Sequence, residues 1–133
     1  ELKKLDLLLE TMSDMSNGRD GFEIQLKGFN AFPPRVIYID LQPNAPLREL
    51  HKHVSRTARR QLRLDNADYK NRGFLPHMTI AFRDLKKAIF QEAWSDFEKR
   101  TFETSFSVAS LTLLRHEAGR WSVYRDFPFK PQA

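Results

Sequence analysis

The feature that most restricts the fold of this chain is a series of helical and strand patterns that occurs twice. Apolar residues at helical spacing, followed by two runs of alternating apolar and polar side chains, predict one helix and two strands in each half. The matching pairs are helices 1–12 and 86–100, strands 22–27 and 102–114, and strands 35–41 and 120–127. A further helix, over 46–64, joins the two series. In a chain of 133 residues, this pattern predicts one domain with two pseudo-equivalent lobes.

One predicted strand has no counterpart in the first half. It spans residues 75–82 and precedes the helix of the second half. We therefore expect the first sheet to be one strand short, with an unpaired edge. Because the chain starts at Glu1 rather than at methionine, we expect the missing strand just upstream. Residues 1–133 would then form a single bilobal domain that is shortened at its N-terminus.

The strand over 75–82 combines a polar face with an apolar one, because side chains alternate along a strand. The polar face would carry His77, Thr79, Ala81 and Arg83, and the core face would carry Met78, Ile80 and Phe82. An imidazole can accept or donate a proton near neutral pH, and a hydroxyl two residues away can donate to the same bound oxyanion. His77 and Thr79 are therefore candidate catalytic residues, although a structural histidine on a half-exposed strand gives the same short pattern.

The charge of the chain favours an anionic partner. Lys and Arg number 22 against 17 acidic residues, which gives a net charge of +5 and suits RNA or a nucleotide. Basic residues also recur at spacings of three and four along helix 46–64, so they share one helical face. They are Arg48, Lys52, Arg56, Arg59 and Arg63. This face is either an edge that follows phosphates or an ordinary solvated helix surface.

Several classes of protein are disfavoured by what the sequence lacks. Without cysteine there are no disulfides and no thiolate metal sites, and neither a His-Glu-x-x-His run nor clustered carboxylates predict a metal centre. No cofactor is expected. No apolar run is long enough to span a membrane and no signal peptide is visible, so the cytoplasm is the predicted compartment.

In this order of elements, His77-Met78-Thr79-Ile80 resembles the second His-x-Thr-x motif of the two-histidine phosphoesterases. That family includes the bacterial 2'-5' RNA ligase-like proteins and cyclic phosphodiesterases. Residues 29–38, 47–51 and 121–129 resemble, in turn, the family's segment between two strands, its central helix and its closing strand, so the resemblance covers essentially the whole chain. The departure is that the family has two His-x-Thr-x motifs and this chain shows one. His53-Val54-Ser55 is not a second copy, because it lies within a helix, where residues two apart point to nearly opposite sides.

The resemblance implies an α+β, LigT-like fold: two pseudo-symmetric lobes with antiparallel sheets, helices packed outside and a central cleft. It implies metal-independent opening of cyclic phosphodiesters, such as 2',3'-cyclic phosphates, at RNA ends or in nucleotides, with 2'-5' RNA joining as the reverse type of reaction. His77 would transfer a proton and Thr79 would bind a phosphate oxygen, both facing the cleft. The candidate substrate-binding residues are Arg83, which would bind phosphate, and Tyr38 and Tyr124, which would stack on bases. Each is also consistent with an ordinary strand or surface position.

Two other functions remain open at this point. Besides a phosphoesterase, the chain could be a catalytically incomplete member of the same fold that binds nucleotides or RNA. It could also be a basic α+β RNA-binding module unrelated to the family. The last would need aromatic pairs on adjacent strands, and the sequence has no Gly-Phe-aromatic signature for them. The expected partner is a nucleotide or RNA-end substrate, and neither a membrane nor a metal ion is expected. The sequence leaves the physiological substrate and the oligomeric state open.

Overall fold

The computed structural model describes residues 2–64 and 73–130, and in those ranges it contains three helices and six strands. The elements are α1 (Leu2–Ser16), β1 (Phe22–Phe32), β2 (Val36–Leu41), α2 (Ala45–Gln61), β3 (His77–Ala81), α3 (Lys87–Phe97), β4 (Glu103–Val108), β5 (Ser110–Glu117) and β6 (Arg120–Pro128). The predicted α+β class is confirmed, and each predicted helix and strand is present. No helix among the described residues is long and apolar enough to cross a membrane.

Two sheets are formed by the described strands. The first has four strands in the order β3-β2-β1-β4, and the second pairs β5 with β6. The pairs β1–β2, β2–β3 and β5–β6 are antiparallel. The hydrogen bonds between β5 and β6 alone would give the second sheet little stability, because an isolated two-stranded hairpin is marginally stable in water.

The predicted partners of the strands are wrong in one respect that matters for the site. β3 was expected to join the strands of the second half, but it pairs with β2 and so completes the sheet that was predicted to be one strand short. The predicted strand 102–114 is two strands that break at Ala109, and these belong to different sheets. The physical reason is that alternation fixes which face of a strand is buried, whereas its neighbours depend on contacts between distant segments.

Gly28 explains why β1 is longer than the strand predicted from the sequence. The sequence predicts a turn over 28–34, but β1 continues through Gly28 to Phe32. Gly28 has a φ of 77°, and the β1–β2 register shifts between Leu26 and Phe29. Gly28 is therefore the left-handed residue of a β-bulge, which bends the strand without ending it.

The sequence also predicts a polar loop over 13–21, and the loop is shorter than that because α1 continues to Ser16. The end of α1 is buried at Thr11, Met15 and Ser16. This burial stabilises the last turn of the helix, which lies beyond the predicted end at residue 12. The Ser16 hydroxyl donates to the Met12 carbonyl at 2.8 Å, which satisfies a buried polar group inside the helix itself.

The chain forms two compact units, each built from separate segments. The four-stranded unit contains β1, β2, β3, α3 and most of β4, and α3 packs on it through an edge-to-face contact between Phe97 and Phe29, with ring centroids 5.2 Å apart. The β5–β6 unit contains α1, α2 and the second sheet, and α1 packs against both strands. Phe127, Phe129, Met15 and Leu50 are buried in this second unit.

Candidate active site

The polar face of the four-stranded unit is assembled by β2 and β3. The register places Thr79 opposite Tyr38 and His77 opposite Asp40, so these four side chains share one face. The opposite face belongs to the hydrophobic layer, because Met78 pairs with Ile39, which pairs with Phe29 beneath α3. The polar cluster therefore lies on the face of the sheet away from α3.

His77 has one ring nitrogen held by its own backbone. Its Nδ1 lies 2.8 Å from the Leu75 carbonyl oxygen. A carbonyl oxygen only accepts, so Nδ1 carries the proton of the neutral ring and donates it, which leaves Nε2 as a free acceptor. Pro76 lies between the two groups, and a proline restrains the preceding residue to an extended conformation. The sequence Leu75-Pro76-His77 thus fixes both the tautomer and the direction of the imidazole.

Two aromatic rings support the imidazole while leaving it accessible. The Phe32 ring meets it edge-on, with centroids 5.1 Å apart and an interplanar angle of 90°, and the Tyr38 ring lies at 5.1 Å. Phe32 and Tyr38 are themselves in contact, with centroids 4.5 Å apart. Tyr38 is buried and His77 is exposed. The result is an imidazole whose orientation is restrained from one side and whose Nε2 is available for chemistry.

Tyr38 and Asp40 give the cluster its polar character beneath the histidine. Burial raises the pKa of the Tyr38 hydroxyl above its ordinary value, and the nearby negative charge of Asp40 raises it further. Tyr38 therefore stays protonated and neutral at physiological pH. Asp40 accepts from the Leu41 N–H at 3.0 Å and from the Asn30 amide at 3.5 Å, so its carboxylate is oriented by the sheet.

The structure brings together three of the five candidate residues named from the sequence: His77, Thr79 and Tyr38. Arg83 was predicted on the polar face of the strand, but β3 ends at Ala81. Arg83 lies instead in an exposed turn, which the Leu85 N–H closes by donating to the Phe82 carbonyl at 3.1 Å. Its position on the strand is therefore a wrong prediction. The reason is that β2 begins only one residue before the Ile37–Ala81 pair, so the ladder ends there.

Tyr124 belongs to the other unit. It lies on β6, where it lines a cavity of about 370 Å³. The other residues that line this cavity are Leu5, Leu8, Leu113, Leu114 and Arg115. The Arg125 guanidinium lies 6.0 Å from the centre of the Tyr124 ring, at the outer range of a cation–π contact.

The predicted core face of β3 is less buried than expected. Met78, Ile80 and Phe82 are all exposed, although Ile39 opposite Met78 is buried. The reason is the position of the strand: β3 is at the edge of the sheet, while α3 packs over Phe29 on β1. An edge strand beside the part of the sheet that a helix contacts can keep apolar alternation without full burial.

Sequence reasoning did not assign Phe32 and Asp40 to the site. Alternation along residues 35–41 does place Tyr38 and Asp40 on one face, which was the available signal. Their proximity to His77 follows only from the pairing of β2 with β3, and no local pattern encodes that pairing. Among residues 2–64 and 73–130, no three His, Asp or Glu side chains are grouped so that they could hold a metal ion.

Comparison with known proteins relates this geometry to a family. Among solved structures, the crystal structure of TT0787 of Thermus thermophilus is similar, with a TM-score of 0.63 and 19% sequence identity. The match covers 96% of this chain and 70% of that one, and at this identity it establishes the fold. Curated protein sequences give no match. The family model of the 2'-5' RNA ligase superfamily matches residues 2–120, which is most of the chain, and so this protein belongs to the 2'-5' RNA ligase superfamily.

Proposed function

We propose that this protein is a metal-independent phosphoesterase that opens cyclic phosphodiesters at RNA ends or in nucleotides. The observation that carries the proposal is the geometry of His77: Nδ1 is bound to the Leu75 carbonyl and Nε2 is free on an exposed imidazole. Thr79 is exposed on the same face two residues further along. Family membership supports the reaction class, and it removes the alternative of an unrelated RNA-binding module.

The reaction would proceed as one displacement at phosphorus. A water oxygen forms a new bond to phosphorus, one ribose oxygen leaves, and the proton lost by water is balanced by the proton that the ribose oxygen gains. His77 would act at Nε2, either taking the proton from water or giving one to the leaving oxygen. The Thr79 hydroxyl would donate to a non-bridging oxygen, where negative charge increases in the transition state.

Of the three candidate substrate-binding residues, Tyr38 takes a different role from the one expected at first. Tyr38 is too buried to stack on a base, so we assign it to positioning His77, which its ring contacts. Arg83 is exposed in the turn after β3, and a guanidinium there would suit a phosphate. Tyr124 is exposed on β6 and would offer a ring for base stacking.

The proposal predicts a large loss of activity when His77 is replaced. In the full-length gene product, His77→Ala should lower the rate of 2',3'-cyclic nucleotide hydrolysis by about 10²–10⁴-fold, which is the usual contribution of a general acid or base. Thr79→Ala should lower it by about 10²–10³-fold, as for the loss of one oxyanion donor. Lys99→Ala, an exposed change beyond the end of α3, is the matched control and should leave the rate unchanged.

EDTA should leave the rate unchanged, because the family resemblance implies no metal in this chemistry. Wild-type activity in His77→Ala, or complete loss of activity on addition of EDTA, would contradict the proposal. Steady-state rates with purified protein, measured with and without EDTA, decide both points.

A second candidate function is nucleotide or RNA binding without turnover. It is favoured by one observation: these 133 residues contain a single His-x-Thr-x motif, whereas the family reaction uses two proton-transfer groups. Calorimetric titration with a nucleoside monophosphate would distinguish the two functions. Binding without measurable hydrolysis in the full-length product would favour this second function, and turnover that depends on His77 would exclude it.

A further inference from the structure

The largest concentration of charge in the described structure lies on α2, away from the His77 cluster in sequence. The helix carries one carboxylate, Glu49, and five cations: Arg48, Lys52, Arg56, Arg59 and Arg60. Its net charge is therefore +4, whereas the whole chain carries +5. Most of the excess charge of the protein is therefore placed on one helix of 17 residues. We define the α2 basic face as Arg48, Lys52, Arg56, Arg59 and Arg63, with Arg63 just beyond the end of the helix.

We propose that the α2 basic face binds the phosphate backbone of single-stranded RNA. The five side chains are all exposed, and the helical spacing of three and four residues keeps Arg48, Lys52, Arg56 and Arg59 on one side of α2. Arg48 and Arg59 are about 16 Å apart along the axis at 1.5 Å per residue, so the row is long enough for several phosphates. The inference rests on the proposed function only where it identifies the bound RNA chain, rather than a mononucleotide, as the substrate.

Burial and the positive charge near α2 together lower the pKa of one of its own side chains, His53. Partial burial lowers the pKa of His53, and the positive charges of Arg19 and Arg56 lower it further. Arg19 is held in place, because its Nε donates to the Met15 carbonyl at 2.8 Å. Cations that disfavour a further positive charge also favour a bound polyanion, which releases its counterions when it binds.

Arg63 provides an independent reason to connect this face with binding. Its φ is 53°, in the left-handed region that favours glycine, and it follows the last turn of α2. The Leu62 and Leu64 N–H groups both donate to the Ala58 carbonyl, at 3.1 and 3.0 Å, which is the bonding around a left-handed helix end. Arg59 and Arg60 already place positive charge in the last turn, so the helix dipole alone does not require an arginine here. A strained position that nevertheless holds a cation points to a role outside the fold.

RNA fits this face better than a membrane does. An amphipathic helix binds a bilayer through an exposed apolar face. The apolar side of α2 is turned inward instead: Leu50 is buried, and Leu47, Val54 and Ala58 are half-buried. What α2 presents to solvent is mainly its row of cations, and an extended polyanion complements that row along its length.

The test is binding of a fluorescent single-stranded oligoribonucleotide to the full-length protein, followed by anisotropy over a series of salt concentrations. Lys52→Gln/Arg56→Gln should weaken binding several-fold and make the slope of log K against log salt shallower by about 1.4, since each lost phosphate contact contributes about 0.7 on single strands. The matched control is Lys3→Gln/Lys4→Gln on α1, which removes the same charge from exposed positions and should leave the slope unchanged.

Arg63→Gly separates binding from folding. Glycine relieves the left-handed backbone, so this variant should melt at a higher temperature and yet bind RNA more weakly. Equal slopes for the two double variants would overturn the inference. Equal affinity for duplex DNA, or binding to anionic phospholipid vesicles instead of RNA, would also overturn it. If cyclic-nucleotide turnover is absent but the α2 double variant still loses RNA affinity, the proposed function fails and this inference stands.

Discussion

At the level of single residues, the ring of Tyr38 is a buried packing support of His77. Tyr38 is 4% exposed and contacts both Phe32 and His77, whereas Tyr124 is 38% exposed. Tyr38→Ala should therefore lower the free energy of unfolding by about 3 kcal/mol, as for other buried aromatic truncations. The control, Tyr124→Ala, should cost about 1 kcal/mol or less. Urea denaturation of both variants measures the difference, and equal costs would contradict the packing described for Tyr38.

His53 should make the stability of the protein depend on pH. Its lowered pKa means that the unfolded chain binds this proton at a higher pH than the folded chain does. Stability should therefore fall as the pH drops from the ordinary histidine pKa, about 6.5, to the lowered value, and this loss should stop below it. His53→Gln should reduce the fall in melting temperature between neutral and mildly acidic pH. The same fall in wild type and variant would show that His53 does not contribute.

At the level of elements, the bulge in β1 depends on glycine. A side-chain carbon at Gly28 would meet no atom within 4 Å, so the cost of substitution comes from its φ of 77°. Gly28→Ala should lower the free energy of unfolding by about 1–2 kcal/mol, which is the penalty of a left-handed conformation for an L-residue. Gly73→Ala is the matched control, since that glycine has equally open surroundings and no positive φ. A cost below that of Gly73→Ala would contradict the bulge.

The elements also show how far the sequence predicts the fold. Periodicity identifies α2 and α3 almost to their ends, but it predicts one long strand over 102–114, where the chain changes sheets at Ala109. Pairing is the part it misses. A glycine such as Gly28 is typical of both a β-bulge and a turn, so the sequence does not distinguish the two. No local feature of β3 selects β2 as its neighbour. The candidate site was therefore predicted through His77 and Thr79, while Asp40 and Phe32 required the structure.

At the level of the whole molecule, the β5–β6 sheet exposes large apolar side chains to solvent. Trp121 is 68% exposed and Val123 is 63% exposed, and Leu114 is exposed opposite Val123. Because exposed apolar strands favour contact with other chains, we expect copies to associate as concentration rises. Val123→Lys should shift sedimentation towards the monomer, while Ser122→Lys, next to it on the other face of β6, is the control. Association that is the same in both variants would assign the contact to another surface.

This exposed sheet also determines how the protein should respond to cold. The attraction between apolar surfaces near 25 °C comes mainly from the entropy of water and carries a large heat-capacity change, so it weakens on cooling. Contacts made through Trp121 and Val123 should therefore loosen in the cold and strengthen on warming. A concentrated solution that becomes turbid at room temperature should clear on ice, which makes the cold the better condition for storing and concentrating this protein.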